Sequence, residues 1–206
     1  MLSVKDVCFA YGTEADEGGP AEKNVITGLS FELPDGGTVA VMGESGSGKT
    51  TLARLLLGLE KPDSGEISGL EGRRVSVVFQ EDRLLPWLTA RGNIAAALPR
   101  ERAKDRAFAD ELLAEVELTD SAEKPIRELS GGMQRRVAIA RALGFGGDLL
   151  ILDEPLKGLD EELQKRIVPR IKARFSTILL ITHSLEEAAL FGAERIVRLT
   201  PRQADR

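Results

Sequence analysis

The chain has one cysteine, one histidine, one tyrosine and one tryptophan in 206 residues, and aromatics make up 4% of it. A single thiol, Cys8, cannot close an intramolecular disulfide, which fits a reducing compartment. It stands in an alternating, strand-like run and is expected to be a small core residue. No apolar run approaches the ~18 residues that a membrane span requires. The opening MLSVKDVCF lacks the basic end and apolar stretch of a secretory signal. Any membrane role is therefore expected to run through partners, from the water side. Positive charge is also short: the formal net charge is −5, which argues against binding nucleic acid by phosphate neutralisation. Internal repeats and low-complexity tracts are absent from the sequence.

What is present is ordinary globular material. The 42% hydrophobic and 30% charged content suits one domain with a sizeable core. Short strand-like runs at 2–10, 29–33, 38–42, 66–70 and 75–79 surround a helical stretch at 51–59. Residues 12–24 are polar, acidic and rich in glycine, and are expected to form an exposed loop. The middle changes texture: 89–98, 101–117 and 133–143 carry alanine, leucine and charge at helical spacing. From Asp148 the alternation returns, with strands at 149–152, 177–182 and 196–199 and helices from Glu161 and Leu185. Strands alternating with helices predict a mostly parallel sheet covered on both faces. The helical middle is then an insertion, with 1–85 and 146–206 as core and 86–145 as helical subdomain. Pro169 should kink or divide the helix from Glu161.

Three segments carry chemistry. GESGSGKT at 43–50 follows a strand and opens a helix, the context of a phosphate-binding loop. Gly43, Glu44, Ser45, Gly46, Ser47 and Gly48 supply a backbone whose N–H groups can turn inward around phosphates. Lys49 can reach the β- and γ-phosphates, the Thr50 hydroxyl can ligate Mg²⁺, and Thr51 continues the helix. LLILDEP at 149–155 is an apolar strand ending in two carboxylates. Side chains alternate along a strand, so Asp153 can hold Mg²⁺ while Glu154 polarises an attacking water. In LSGGMQ at 129–134, Ser130, Gly131 and Gly132 precede a helix and present N–H groups and a hydroxyl to an anion. The bland alternative for that segment is an N-cap serine followed by permissive glycines.

In combination these motifs resemble the ATP-binding subunit of an ABC transporter, and the resemblance covers nearly the whole chain. It implies the ABC ATPase fold: an α/β P-loop NTPase core, an N-terminal antiparallel β portion and an inserted α-helical subdomain. It also implies an ATP-hydrolysing enzyme that works as a dimer with a second copy or a homologous ATPase subunit. Ser130, Gly131 and Gly132 of one subunit would cover the γ-phosphate bound by the other, with Gln134 near the nucleotide. Gln80 matches the glutamine that senses Mg²⁺, Asp160 the aspartate at the subunit interface, and His183 the histidine on the γ-phosphate. Tyr11 matches the aromatic that stacks on adenine. The sequence departs from the family pattern in the longer 12–24 loop and at Lys157, where a small residue is more usual. The sequence also stops soon after its last strand-like run, so the C-terminal regulatory domain of some importer ATPases is not expected.

The segment FQEDRLLPWLTARGNI at 79–94 and the ending ERIVRLTPR resemble bacterial importers of the nitrate, sulfonate and taurine type. That likeness implies a peripheral protein on the cytoplasmic face of the membrane, coupled to a separate permease and, indirectly, to a solute-binding protein. Leu84, Leu85, Pro86 and Trp87 would then dock on the permease, or Trp87 would pack in the subdomain core. An exporter subunit is the alternative within the family. A soluble non-transport ABC ATPase and a small-molecule kinase are rivals outside the transport reading.

Overall fold

β-branched and leucine-rich runs such as Ile178–Thr182 and Leu149–Asp153 are buried along their whole length, and both become central strands. The computed structural model describes residues 1–12, 23–44, 46–102 and 105–199. Two sheets form. β1 (Leu2–Tyr11), β2 (Lys23–Leu33) and β4 (Ser64–Ser68) make an antiparallel sheet in the order β2-β1-β4. β3 (Thr38–Met42), β5 (Val75–Val78), β6 (Leu149–Asp153), β7 (Ile178–Thr182) and β8 (Arg195–Arg198) make a parallel sheet in the order β5-β6-β7-β3-β8.

Alternation along β6 sends Leu149 and Ile151 to one face and Leu150 and Leu152 to the other. The first face packs on α1 (Lys49–Leu56) and the antiparallel sheet; Leu52, Leu55 and Leu56 supply the helix stripe. The second face packs on α4 (Gly131–Phe145), α5 (Glu161–Arg174) and α6 (Leu185–Phe191). α2 (Ala90–Ala95) and α3 (Arg106–Glu115) join that second core through Ile94, Ala109, Leu112 and Leu113. Side-chain caps start the helices: Thr89 for α2, Asp105 for α3, Ser130 for α4, Asp160 for α5 and Ser184 for α6.

Several expected boundaries move. β2 is longer than the 29–33 run, because Ile26 is buried against β1 and pairs with Phe9. Lys23 and Asn24 therefore lie in a strand rather than in the acidic loop, and 13–22 fall outside the described residues. The expected 101–117 helix is a 3₁₀ turn at Arg100–Arg102 and then α3, which starts at its Asp105 cap. Pro169 does not divide α5, which runs unbroken from Glu161 to Arg174. The proline is exposed, and the carbonyl it leaves without a helix partner belongs to Lys165, also exposed, so the lost bond costs less than it would in the core. Meanwhile Leu163, Ile167, Val168 and Ile171 keep the buried stripe continuous.

Candidate nucleotide site

The parallel strands β3, β6 and β7 all end at one edge of the sheet, and each delivers a functional segment there. β3 leads into the phosphate loop, β6 into Asp153 and Glu154, and β7 into His183. The loop turns through Gly46 (φ +80°) and Gly48 (φ +94°) before α1 begins. At Gly48 a side chain is excluded twice over, since a Cβ would stand 2.8 Å from the Val25 carbonyl oxygen. At Gly43 a Cβ would meet Ser47 Oγ at 2.3 Å. Ser45 lies outside the described residues.

Lys49 is buried, and its Nζ donates to the carbonyls of Gly43 (2.7 Å) and Glu44 (2.9 Å). It stands 3.8 Å from Glu154 Oε1. The same Glu154 oxygen lies 3.2 Å from His183 Nδ1, so the carboxylate sits between two nitrogens. Glu154 is only 8% exposed, whereas His183 opens to solvent. Glu154 also holds a left-handed backbone, φ +47°, which costs on the order of 1–2 kcal/mol for a residue with a side chain. Its amide is tied to the Ile181 carbonyl at 2.8 Å.

Thr50 Oγ1 donates to Asp153 Oδ2 at 3.0 Å and lies 3.4 Å from Gln80 Oε1. Asp153 is fully buried; burial pushes its carboxyl above the ordinary range, and the Thr50 hydrogen bond partly opposes that. Its other oxygen, Oδ1, is buried without a hydrogen-bond partner, as is Ser47 Oγ. Hydroxyl, carboxylate and amide oxygens converging on one point form a donor set for a small hard cation that keeps phosphate oxygens as further ligands. The residues thus fit Mg²⁺. Among the described residues no cluster of three or more histidine, cysteine, aspartate or glutamate side chains offers another metal site.

Val25, Gly46, Gly48, Lys49, Thr50, Thr51, Gln80 and Glu154 line a cleft of about 190 Å³. Tyr11 stands beside it, half exposed, with its hydroxyl 3.4 Å from Thr51 Oγ1 and its ring edge-on to Phe9 at 4.9 Å. Ser130, Gly131 and Gly132 do not line this cleft; Ser130 and Gly131 are exposed elsewhere on the surface. Gly132 packs so closely on the 158–159 turn that a Cβ would lie 2.8 Å from the Gly158 carbonyl oxygen. Asp160, just beyond, accepts the Leu163 amide at 2.9 Å. Gln134, expected near the nucleotide of a partner subunit, turns its side chain back within this chain. Its side-chain amide donates to the carbonyls of Ile126 (3.1 Å) and Leu129 (3.0 Å), the turn that precedes α4. Trp87 is 76% exposed and is not a core residue, while Asn93 below it holds Leu85 through both backbone groups.

Two residues went unnoticed in the sequence. Arg135 is 3% exposed and donates to Phe79, Asp153, Glu154 and Pro155 carbonyls. Arg141 donates to the carbonyls of Asp82 and Arg83, both at 2.7 Å. The signal was available: Arg135 falls at helical spacing with Ala138, Ile139 and Ala142, a charge on an otherwise buried face.

The sequence profile described as "ABC transporter" matches residues 26–157. The bicarbonate transport ATP-binding protein CmpD of Synechococcus elongatus is 41% identical over 216 residues, covering 97% of this chain and 75% of that protein. The taurine import ATP-binding protein TauB of Mesorhizobium japonicum is 42% identical over 202 residues, covering 90% of this chain and 76% of that protein. Among solved structures, the post-hydrolysis dimer of the ATP-binding cassette MJ0796 bound to ADP and Pi is similar at TM-score 0.84 and 28% identity. It covers 98% of this chain and 95% of that one. The phosphate loop, the paired carboxylates at the end of β6 and these likenesses agree: the chain belongs to the ABC transporter family, as an ATP-binding cassette.

Proposed function

We propose that this chain binds and hydrolyses ATP, with Mg²⁺, as the motor subunit of an importer for a small solute of the bicarbonate, nitrate, sulfonate or taurine kind. The observation that carries this is the meeting of Lys49, Thr50, Gln80, Asp153, Glu154 and His183 at one edge of the sheet. Relatives 41% and 42% identical are named for bicarbonate transport and taurine import.

Lys49 exchanges its carbonyl partners for β- and γ-phosphate oxygens, and loop N–H groups from Gly43 to Thr51 take the rest of the phosphate charge. Tyr11 stacks on the adenine. Thr50, Gln80 and Asp153 would hold the cation, which when bound would offset charge on the phosphate oxygens. Glu154 accepts a hydrogen bond from the attacking water, whose oxygen bonds to the γ-phosphorus as the bond to the β–γ bridging oxygen breaks. ADP and phosphate are the products. His183 orients the Glu154 carboxylate and, exposed on its other side, reaches the γ-phosphate.

The distance of Ser130–Gly132 from the chain's own cleft supports their acting on a partner's nucleotide, in a sandwich with a second copy or a homologous subunit. Gln134 then acts by shaping the turn behind Ser130, and Asp160 lies at the same interface. The exposed Trp87, beside Pro86, supports docking on a separate integral permease from the cytoplasmic face. A solute-binding protein would meet the permease rather than this chain, and nucleic acid has no part. In domain terms, 86–145 is the helical subdomain and the remainder the nucleotide core.

Glu154→Gln tests this reading. The variant is expected to bind ATP, lose turnover by about 10²- to 10⁴-fold, and accumulate as an ATP-bound dimer in light scattering. Turnover at the wild-type rate would reject Glu154 as the residue that activates water. Loss of turnover without dimer would reject the sandwich.

A further inference from the structure

Four non-glycine residues among those described adopt left-handed backbone: Asp6, Arg83, Glu117 and Glu154, with φ between +45° and +57°. Three of them have their carbonyl oxygen held by an arginine of α4. Arg141 Nη1 binds Arg83 at 2.7 Å, Arg136 Nη1 binds Glu117 at 2.9 Å, and Arg135 Nη2 binds Glu154 at 2.5 Å. The helix that begins at Ser130 thus stabilises backbone turns that the chain would otherwise resist.

Arg135 is the most fully engaged of the three. A guanidinium carries five N–H donors in a rigid fork. Here Nε meets the Pro155 carbonyl at 2.9 Å, and Nη2 meets the carbonyls of Asp153 at 2.6 Å and Glu154 at 2.5 Å. Nη1 meets the Phe79 carbonyl at 2.5 Å and Asp82 Oδ1 at 2.9 Å. Every donor is used, in a place with almost no water. On one side it grips the three residues around the reacting carboxylate; on the other it grips the strand end that leads into Gln80.

We propose that Arg135 is a positioning residue for Glu154, locking its strained peptide and the entry to Gln80 onto the helix that carries Ser130–Gly132. This rests on the reading of Glu154 as the group that activates water. When a partner's nucleotide draws on Ser130–Gly132, the pull is delivered through one guanidinium to the carboxylate and to the cation-side glutamine together. Arg135 touches neither substrate nor cation itself.

Turnover and ATP affinity of Arg135→Lys provide the test. Lysine keeps the charge but offers three donors from one point in place of a fork. The turnover rate is expected to fall about 10- to 100-fold, the scale of an ångström's misplacement, with ATP affinity within about twofold of wild type. Added to Glu154→Gln, Arg135→Lys is expected to cause no further loss. An unchanged rate overturns the proposal, as does a matching loss of affinity or an additional loss in the Gln background. Where Arg135→Lys does not fold, Asp82→Ala removes one of the Nη1 acceptors and leaves the Phe79 carbonyl in place; it is expected to show the same split at smaller amplitude, and full turnover there overturns the proposal. Glu154→Gln at wild-type turnover would remove the reading of Glu154 and the proposal with it. Glu154→Gln inactive beside a fully active Arg135→Lys would remove only the proposal.

Discussion

Thr182 donates its hydroxyl to Glu187 Oε2 at 2.6 Å, a hydrogen bond that sits directly behind His183. Thr182 also accepts the Ser184 amide at 3.0 Å, and Ser184 caps α6 by accepting the Glu187 amide at 3.1 Å. The exposed histidine therefore projects from a closed ring of bonds rather than from a slack loop.

That ring has a pH signature. Burial holds the Glu187 carboxyl above its ordinary value of 4.5, against the Thr182 hydrogen bond and the nearby His183. A carboxyl raised on folding binds protons more readily in the folded state, so stability falls as pH rises from 4.5 through the folded value. Glu187→Gln keeps an acceptor for Thr182 and removes the half-buried charge. Thermal melts across this window are expected to show the decline in the wild type and a flatter profile in the variant. A wild-type profile that rises over the window would contradict the assignment.

The paired glycines of LSGGMQ should separate fold from activity. A Cβ on Gly131 meets nothing within 4 Å, whereas one on Gly132 lies 2.8 Å from the Gly158 carbonyl oxygen. Gly131→Ala is expected to leave stability within about 0.5 kcal/mol while impairing ATP turnover. Gly132→Ala is expected to cost about 1–3 kcal/mol, because a backbone oxygen has to give way. Equal melting temperatures for the two variants would refute the close packing.

Adenine recognition should depend on the Tyr11 ring more than on its hydroxyl, since the Thr51 contact is long at 3.4 Å. Tyr11→Phe is expected to bind ATP within about twofold of wild type. Tyr11→Ala is expected to lose about 1–3 kcal/mol of affinity, the usual worth of an aromatic under a base. Equilibrium titration with a fluorescent nucleotide would decide it, and a normal affinity for the Ala variant would exclude stacking.

Much of this was legible in the sequence for a physical reason. Phosphate loops and buried parallel strands leave dense local patterns, so β3 into Lys49 and β6 into Asp153 could be placed from residue types alone. The fold class could likewise be read from the return of strand–helix alternation after Asp148. What stayed hidden depended on distant partners. Ile26 is drawn into β2 by pairing with Phe9, which no window around Ile26 reveals. Gln134 is captured by carbonyls at Ile126 and Leu129, and Arg135 by groups from two separate segments. A motif's string says which residues are present but not which way each side chain turns. Pro169 failed as a breaker because solvent exposure, absent from the string, decides what an unpaired carbonyl costs.

The alternation along β6 has a consequence for how strain can travel. With Leu149 and Ile151 facing the α1 side and Leu150 and Leu152 facing the α4 side, the sheet acts as a bulkhead between two separate fillings. At the rim where β6 ends, α4 is tied to the residues around Glu154 through Arg135. At that rim α4 reaches across to the sheet through one side chain, Arg135, so a shift of the helical filling would be felt first at the carbonyls of Asp153, Glu154 and Pro155.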